Sequence, residues 1–433
     1  MTSRPIVLAI DLGSSSFKAA VYGDAEEPLG EAAVAIEYDR GADGSVELDV
    51  RRAEEAFASA ASGAIASAGA VASDCAALSI TSQAQTYAVV DERGEAKTRF
   101  VSWLDARGRE DATDIARRLP EFAEHCSFGA VGTGLQITKL VYLARTGAAT
   151  IAPTDRVWAL PAYLAAALTG RPSLDANSAA MTGLYSLRLG TWWPDALDLC
   201  GLRPAQLPDL VPVGTPVGRA GDGAARLGVS PGLPLVLAGN DQTAGAYGAG
   251  VRPGGDALLT IGSAHVAYAA THDLCDAAPG TARGPFPGGG HYVLASNDGG
   301  DVVRWAARTL DGGMTFAEFY RLAASAPPGC DGARFELAPD GGTGTWTGDE
   351  TPSPANAARA VVEELAHHAF EMASAVLART GVAGIRLAGG GLRADVWLDA
   401  LSREFGTPLA TTTASPALGA ARMAQDALAR AEA

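Results

Sequence analysis

The stretch that most constrains this chain is a pair of apolar runs joined by a short polar turn. The first run, Ile6–Ile10, ends at Asp11, and the second spans Phe17–Tyr22. The turn between them holds Gly13, Ser14, Ser15 and Ser16. This pattern predicts a β-hairpin whose backbone N–H groups and hydroxyls suit phosphate oxygens. Asp11 at the end of the strand suits a hydrated Mg²⁺, and Lys18 is a cation able to reach a terminal phosphate.

The same pattern occurs a second time, about 250 residues further along the chain. Ala257–Ala269 is again apolar on both sides of a short turn, which contains Gly262 and Ser263. Recurrence at so long an interval predicts two related domains rather than a short-period repeat. Two phosphate-binding hairpins, one in each domain, would close on a nucleotide from both sides.

The composition argues against nucleic acid and anionic membranes as partners and favours a cytoplasmic protein. A formal net charge of −16 over 433 residues argues against nucleic acid and anionic membrane surfaces as main partners. The five cysteines show no CxxC spacing, so we expect reduced packing residues in a cytoplasmic protein. The chain begins Met-Thr-Ser-Arg-Pro and runs into a strand, so we expect no signal peptide. No apolar run approaches the roughly 18 residues that a membrane span needs.

Periodicity predicts alternating strands and helices over most of the chain. Helical spacing of apolar residues is found at 51–71, 135–143, 159–168, 301–310, 355–379, 395–405 and from Pro416 onward. Short apolar runs that predict buried strands lie at 76–80, 235–238, 292–295 and 385–388. Residues 327–354 show no period and receive no assignment.

Two polar clusters directly follow predicted strands, where open α/β sheets bind ligands. Asp241 and Gln242 follow the strand 235–238, and Asp241 is either a general base toward a hydroxyl or the cap of the next helix. Gln83 and Gln85 follow the strand 76–80, and they either bind substrate hydroxyls or decorate a turn.

An aromatic residue lies beside an opposed charge pair at Trp103, Asp105 and Arg107. Trp103 could stack on the face of a sugar while the two charged residues position its hydroxyls. The alternative is a buried tryptophan next to a structural salt bridge, which is the commoner arrangement.

A glycine-rich loop separates the strand 385–388 from a helix and contains Gly389, Gly390, Gly391 and Leu392. The stretch fits a dinucleotide-binding fingerprint, but the acidic residue expected about 20 positions later is missing. We therefore expect a backbone that lies flat against an adenine or ribose. The chain contains no GxxxxGK[ST] sequence, so any ATP site lacks a Walker loop. The six histidines show no metal-ligand spacing.

Taken in order, these motifs resemble those of the FGGY carbohydrate kinases, and the resemblance runs along nearly the whole chain. The matching stretches are Asp11–Lys18, Trp103–Arg107, Asp175–Ser178, Gly239–Gln242, Ile261–Ala264 and Leu387–Leu398. The resemblance implies an α/β chain of two RNase H-like domains, of the actin/Hsp70 ATPase type, with an interdomain cleft. It implies a sugar-binding domain at 1–250 and a nucleotide-binding domain at 251–433. Because the two phosphate turns lie on opposite domains, we expect a hinge near 250–254 about which the domains close.

The resemblance also implies roles for the candidate residues and identifies ATP and Mg²⁺ as cofactors. Asp241 would take the proton from a primary hydroxyl, and Asp11 would hold the Mg²⁺. Lys18 and the two Gly-Ser turns would bind phosphates, and the loop from Gly389 to Leu392 would bind adenosine. The sugar would contact the remaining candidates: Gln83, Gln85, Trp103, Asp105, Arg107 and Gln242. A homodimer is compatible with the resemblance.

Two departures from the family bear on the substrate. Glycerol kinases carry Arg-Glu, and xylulokinases Met-His, where this chain has Ala84-Gln85. A neutral amide suits a hydroxyl-rich chain, so we expect a ketose or polyol of about five to seven carbons. A loop that usually carries Gly-Glu-Arg-Thr-Pro is reduced to 344–352, which bears on the substrate and on activity. The alternatives are an actin/Hsp70-like ATPase switch and a catalytically degenerate homologue that only binds sugar.

Overall fold

The computed structural model describes residues 4–69, 74–339, 341–348 and 351–432. The chain folds into two compact units. The first comprises Met1–Gly248, Asp276–His291 and Ser415–Ala433, and the second comprises Ala249–Cys275 and Tyr292–Ala414. Each unit has an apolar core of its own. The last positions of the helix expected at 51–71 lie outside the described residues.

Thirteen α-helices are found in the described part of the chain. They are α1 (Val50–Ser67), α2 (Asp111–Arg118), α3 (Phe122–His125), α4 (Gln136–Thr146), α5 (Leu160–Thr169), α6 (Ala176–Ala180), α7 (Pro194–Leu199), α8 (Asp241–Gly248), α9 (Gly300–Asp311), α10 (Phe316–Ala324), α11 (Pro354–Thr380), α12 (Asp395–Phe405) and α13 (Pro416–Glu432).

Twenty-three β-strands accompany them in the described residues, several of only two or three residues. They are β1 (Val7–Leu12), β2 (Ser16–Tyr22), β3 (Gly30–Ala35), β4 (Asp39–Arg40), β5 (Val46–Leu48), β6 (Ala77–Ser82), β7 (Tyr87–Val90), β8 (Phe100–Val101), β9 (Arg156–Ala159), β10 (Ser173–Asp175), β11 (Tyr185–Ser186), β12 (Thr191–Trp192), β13 (Asp209–Val211), β14 (Thr215–Arg219), β15 (Pro234–Asn240), β16 (Ala257–Ile261), β17 (Ala264–Thr271), β18 (Thr281–Pro285), β19 (His291–Asp298), β20 (Arg334–Leu337), β21 (Gly344–Thr347), β22 (Ile385–Ala388) and β23 (Ala410–Thr411).

The central sheet of the first unit has six strands in the order β14-β15-β6-β1-β2-β3. Strands β1, β2 and β3 are antiparallel neighbours, which confirms the first predicted hairpin. Strands β6 and β15 join β1 on its other side in parallel. Every residue of β1 and β6 is buried, as expected for strands covered on both faces. The carboxyl ends of β1, β6 and β15 therefore meet at one edge of the sheet.

The central sheet of the second unit repeats this arrangement. Its order is β18-β19-β17-β16-β22-β23, with β16 and β17 antiparallel and β22 parallel to β16. The second predicted hairpin is thus confirmed, and in both sheets the first strand of the hairpin has a parallel strand on its other side. The turn of each hairpin consequently lies beside the carboxyl end of a neighbouring parallel strand.

The division into units is not contiguous along the chain, whereas the sequence-based division at residue 250 is. Helix α13 belongs to the first unit because it packs tightly on α8. A Cβ atom at Gly419 of α13 would lie 1.7 Å from the carbonyl oxygen of Ala244 in α8. Only glycine allows the two helix backbones to approach this closely. Residues 276–291 also pack with the first unit, through contacts such as that of the Pro285 carbonyl with Asn177.

The stretch that had no periodicity, 327–354, contains a small hairpin made of β20 and β21. Trp346 of β21 stacks on Trp305 of α9, with ring centroids 5.4 Å apart and planes at 17°. Its indole N–H also donates a hydrogen bond of 2.9 Å to the carbonyl of Ala357. This short hairpin is therefore held by aromatic packing onto the second unit.

Candidate active site

The carboxyl edge of the first unit's sheet brings three candidate side chains together. Asp11 lies near the end of β1, directly opposite Lys18 on β2. Because directly opposed residues of antiparallel strands point to the same face, these two charges share one side of the sheet. Asp241 begins α8, immediately after β15 ends at Asn240. The charge of Asp241 acts on Asp11, so the two carboxylates and Lys18 form one electrostatic group.

Asp11 is a buried carboxyl group that its own chain leaves unsatisfied. Its residue is 7% exposed, and Oδ1 has no hydrogen-bond partner among the described residues. Loss of hydration and, after it, repulsion from Asp241 raise its pKa from 3.8 to about 7, while Lys18 opposes the shift. Such a group is costly to bury unless a bound cation compensates it.

Asp241 keeps partial access to solvent, although its surroundings raise the pKa of its carboxyl group mainly through lost hydration. Its Oδ1 accepts a 2.8 Å hydrogen bond from the N–H of its neighbour, Gln242. The helix cap is supplied by another residue, because Oδ1 of Asn240 accepts the N–H of Thr243 at 2.8 Å. The alternative in which Asp241 merely caps α8 therefore loses its main support.

Asn177, which lies in the matching stretch Asp175–Ser178, positions this corner of the sheet. Its Oδ1 accepts the N–H of Asn240 at 2.9 Å, and its Nδ2 donates to Thr243 Oγ1 at 2.9 Å. Gly239 turns with φ +75°, and a Cβ there would lie 2.8 Å from Asn177 Oδ1. Asn177 itself lies in the first turn of α6, which the buried Asp175 caps. The backbone that carries Asp241 is thus bonded on both sides of that residue.

The turn of the first hairpin, which joins β1 to β2, leaves its polar groups available. Ser14 and Ser16 are partly buried, Ser15 and Lys18 are exposed, and the Lys18 ammonium makes no ion pair with any described residue. A Cβ at Gly13 would lie 2.9 Å from the carbonyl oxygen of Ser16, so the turn is too tight for a side chain there. This arrangement suits an anion that must approach the backbone closely.

The two glutamines after β6 differ in what they can do. Gln83 is 5% exposed, and its amide is engaged with Tyr38, Thr86 and the carbonyl of Gly13 at 3.1–3.3 Å. It therefore braces the first turn. Gln85 adopts φ +69°, a left-handed backbone that is rare outside glycine, and its Oε1 is buried without a partner among the described residues. An unpaired acceptor on a strained backbone is typical of a ligand-binding position.

Trp103 and the charge pair beside it also have separate environments. Trp103 is 42% exposed, so its ring is available to a ligand. Asp105 is 1% exposed, and its two oxygens accept hydrogen bonds from Arg107 and from the N–H of Val46. Arg107 bonds Glu47 as well, at 2.6 Å. The pair is saturated by groups of its own chain, which supports the structural alternative for Asp105 and Arg107.

A buried lysine behind Trp103 was missed by sequence reasoning. Lys139 of α4 is 1% exposed, and its ammonium donates to the carbonyls of Gly134 at 2.6 Å and Trp103 at 3.3 Å. Burial lowers its pKa from 10.5 to about 8. Lys139 joins the loop that carries Trp103 to the loop before α4. A single lysine inside an amphipathic helix gives no sequence signal for such a role.

In the second unit, the second turn and the glycine loop line a single cavity of about 820 Å³. Gly262, Ser263, Gly390 and Gly391 all contribute to its wall. Leu392 does not line it and packs instead against the core of this unit. The cavity has the volume of a site for a cofactor-sized ligand.

The glycines of the loop serve different purposes. A Cβ at Gly389, whose φ is +111°, would lie 2.2 Å from the carbonyl oxygen of Ile261, and one at Gly391 would meet the Ile261 side chain. These two glycines therefore allow the loop to pass close to β16. At Gly390 nothing lies within 4 Å of the added atom, so among these three glycines it is Gly390 that presents open backbone to the cavity.

The donor set around Asp11 fits a magnesium ion. Mg²⁺ prefers oxygen ligands, keeps several waters and is commonly bound by one or two carboxylates together with phosphates. The unpaired Oδ1 of Asp11 and the nearby charge of Asp241 supply that chemistry. No group of three or more His, Cys, Asp or Glu side chains that could enclose a metal occurs in the described residues.

None of the described helices has the length and apolar character that crossing a membrane requires.

Known proteins are similar to this chain in sequence and in fold. Over 384 residues the chain is 25% identical to the xylulose kinase of Escherichia coli K12, a match covering 81% of this chain and 76% of that protein. Crystal structures of a gluconate kinase and of a ligand-bound xylulose kinase, both from Lactobacillus acidophilus, superpose with TM-scores of 0.87. Their sequences are 21% and 20% identical to this chain. The two superpositions include 99% and 98% of this chain and, in each case, 90% of the known structure's own chain.

These likenesses confirm the expected fold class, in which each of two units is built on an RNase H-like sheet of the actin/Hsp70 type. The model for the N-terminal domain of the FGGY family of carbohydrate kinases matches residues 6–248, which is more than half of the chain. The corner formed by Asp11, Lys18 and Asp241 lies within that match. The chain belongs to the FGGY family of carbohydrate kinases.

Proposed function

We propose that this kinase transfers the γ-phosphoryl group of ATP to a primary hydroxyl of a ketose or polyol of about five to seven carbons. The observation that carries the proposal is the group formed by Asp11, Asp241 and Lys18. It combines a partly accessible carboxylate, a buried carboxylate whose Oδ1 has no hydrogen-bond partner among the described residues, and an ammonium that forms no ion pair with them. Phosphoryl transfer needs positioning and charge neutralisation, and these three groups supply both.

Asp241 acts as the general base in this proposal. Its raised pKa brings the carboxylate closer to the range in which a base works at neutral pH. The Asn177 and Asn240 hydrogen bonds fix the backbone from which it projects. Asp241 would accept the hydroxyl proton as the sugar oxygen forms its bond to phosphorus and the bond to the β-phosphate oxygen breaks.

The other ligands follow the chemistry of the side chains. Asp11 would hold Mg²⁺, which neutralises charge on the phosphate oxygens when bound. Lys18, the turn from Gly13 to Ser16, and Gly262 with Ser263 would bind phosphate oxygens. The open backbone at Gly390 favours the cavity of the second unit for adenosine.

The sugar is assigned to Gln85, Trp103 and Asp241. The unpaired Oε1 of Gln85 would accept a hydroxyl proton, and the exposed ring of Trp103 would cover an apolar face of the sugar. A neutral amide favours hydroxyls over a carboxylate, and a short triol would leave one of these groups unpaired. We further propose a cytoplasmic protein that acts on small molecules rather than nucleic acid, with a homodimer as its candidate assembly.

The test is a coupled assay of ADP release across pentuloses, hexuloses, polyols, sugar acids and glycerol. We expect ADP release in step with one ketose or polyol, with kcat/KM at least about tenfold above that for glycerol. Sugar-independent hydrolysis would indicate the ATPase switch instead, and sugar binding without ADP would indicate the degenerate homologue. Glycerol or a sugar acid matching every longer ketose and polyol would contradict the substrate class.

A further inference from the structure

The cavity of the second unit contains two arginines whose side chains have no hydrogen-bond or ion-pair partner in the described part of the chain. Arg321 of α10 and Arg393 of the glycine loop both line it, and both are exposed. Hydrogen bonds from Thr315 lower the pKa of Glu318 and the positive charge of Arg321 helps to lower it, but the Arg321 and Glu318 side chains form no ion pair. The Glu318 carboxylate instead accepts a hydrogen bond of 2.7 Å from Thr315 Oγ1. In a chain of net charge −16, two free guanidinium groups in one cavity need an explanation.

One wall of this cavity is formed by a face of α10 that carries two aromatic rings and two alanines. Ala317, Tyr320, Arg321 and Ala324 recur at helical spacing along α10 and line the cavity together. Phe316, at the start of the same helix, is 40% exposed and stacks on Tyr320 with ring planes 12° apart. The small alanines leave room beside the rings. This wall suits the face of a planar heterocycle, while Gly390 offers bare backbone elsewhere in the same cavity.

The hydrogen-bonding side chains of the lining suit more than one base. Those able to bond a base edge are Ser263, Tyr320, Arg321, Arg393 and Asp395, and no asparagine or glutamine side chain is among the described lining residues. Guanine presents two adjacent acceptors, O6 and N7, which a donor-only guanidinium binds well. Adenine presents the acceptor N7 beside the donor N6. The N6 amino group could donate a hydrogen bond to a carboxylate such as that of Asp395. The lining thus offers partners to both purines.

We propose that this cavity selects a purine without selecting adenine, so that GTP and ITP serve as phosphoryl donors alongside ATP. Arg321 and Arg393 bind the O6 and N7 edge of the 6-oxopurine, and Phe316 and Tyr320 cover its face. The reaction is unchanged: the sugar oxygen bonds to the γ-phosphorus, the bond to the β-phosphate oxygen breaks, Asp241 takes the proton and GDP leaves. The donor role rests on the proposed function, whereas the base preference belongs to the cavity alone.

The test is calorimetric binding of ADP and of GDP to the parent protein and to the double variant R321Q/R393Q. The matched control is Arg308→Gln, an exposed arginine of α9 that does not line the cavity. We expect the parent to bind GDP within about 30-fold of ADP, and the double variant to shift the preference toward ADP by at least about fivefold. The control variant should have the same ratio of ADP affinity to GDP affinity as the parent.

A parent preference for ADP above about 30-fold, or an unchanged ratio in the double variant, overturns the inference. Thermal melts of all variants show whether a loss of binding reflects unfolding. Initial rates with ATP, GTP, ITP and CTP then test the donor role, and CTP should be poor because its smaller ring covers less of the aromatic wall. If no triphosphate supports phosphorylation of any sugar, the proposed function has failed, while the binding ratios still decide the base preference.

Discussion

Asp11 is the residue whose surroundings most favour function over stability. Its carboxyl group is buried beside Asp241, and the chain provides no partner for Oδ1 among the described residues. The folded pKa is about 7, against about 3.9 for an aspartate in an unfolded chain. Between these values the folded state binds more protons than the unfolded state. The free energy of unfolding therefore falls as pH rises from about 4 to 7.

The variant Asp11→Asn should be more stable than the parent yet inactive. Without added Mg²⁺, we expect its Tm at pH 8 to exceed that of the parent by at least about 3 °C, and the difference to shrink toward pH 4. The reason is that the isosteric amide removes an unpaired buried charge. Thermal melts of both proteins at pH 4, 6 and 8, in buffer that contains a chelator, measure this difference in Tm. A lower Tm at pH 8 would show that the carboxylate stabilises the fold.

Gln85 allows sugar binding to be separated from folding. Its φ of +69° suits glycine, so Gln85→Gly should fold as stably as the parent while losing the unpaired amide. We expect KM for the sugar to rise about tenfold with KM for ATP unchanged. Steady-state kinetics in both substrates, with melts as a check on folding, measure this. An unchanged sugar KM would leave Gln85 as a turn residue.

Residue roles were only partly predictable, because a motif does not state which polar groups remain unpaired. The sequence placed Asp105 with Arg107 and Gln83 with Gln85 as equal candidates. In the folded chain, Asp105 and Gln83 are saturated by groups of the protein, whereas Gln85 Oε1 is not. Hydrogen bonds between distant parts of the chain decide this difference, and local spacing carries no information about them.

Among the elements, α8 and α13 show how a distant segment controls the site. The first turn of α8 begins with Asp241, and α13 packs on α8 through Gly419. The strands of the two hairpins, the strands β6, β15, β19 and β22, and the long helices followed from periodicity, since burial is a local pattern. The addition of α13 to the first unit could not be predicted, because it depends on a backbone contact between Ala244 and Gly419, which lie far apart in the sequence. The β20–β21 hairpin was missed because it lacks regular alternation.

Gly419→Ala should damage both stability and catalysis. The added Cβ would lie 1.7 Å from the Ala244 carbonyl oxygen, so α8 and α13 must separate. We expect a loss of about 3 kcal/mol or more in the free energy of unfolding, and a lower kcat because Asp241 moves with α8. The matched control is Gly223→Ala, where nothing lies within 4 Å of the new atom. Denaturant unfolding that gives equal stabilities for the two variants would contradict the packing argument.

At the scale of the whole molecule, each of the two units is built on a sheet in which a hairpin lies beside a parallel strand, and the units hold different candidate groups. The first unit holds the carboxylates, the ammonium and the candidate sugar contacts. The second holds the cavity formed by Gly262, Ser263 and the glycine loop. The repeated hairpin predicted this duplication, because each copy begins its own sheet. The proposed function assigns contacts to groups of both units, so its tests use the whole chain.

The most direct test of this account compares the parent with Asp241→Asn in the sugar that the panel identifies, measuring ADP and sugar phosphate together. The account predicts equal amounts of both products from the parent. It predicts a kcat at least about 100-fold lower for the variant, with nucleotide affinity within a few-fold, because the amide cannot accept the hydroxyl proton. A variant whose kcat stays within a few-fold of the parent would contradict the assignment of Asp241 as the base.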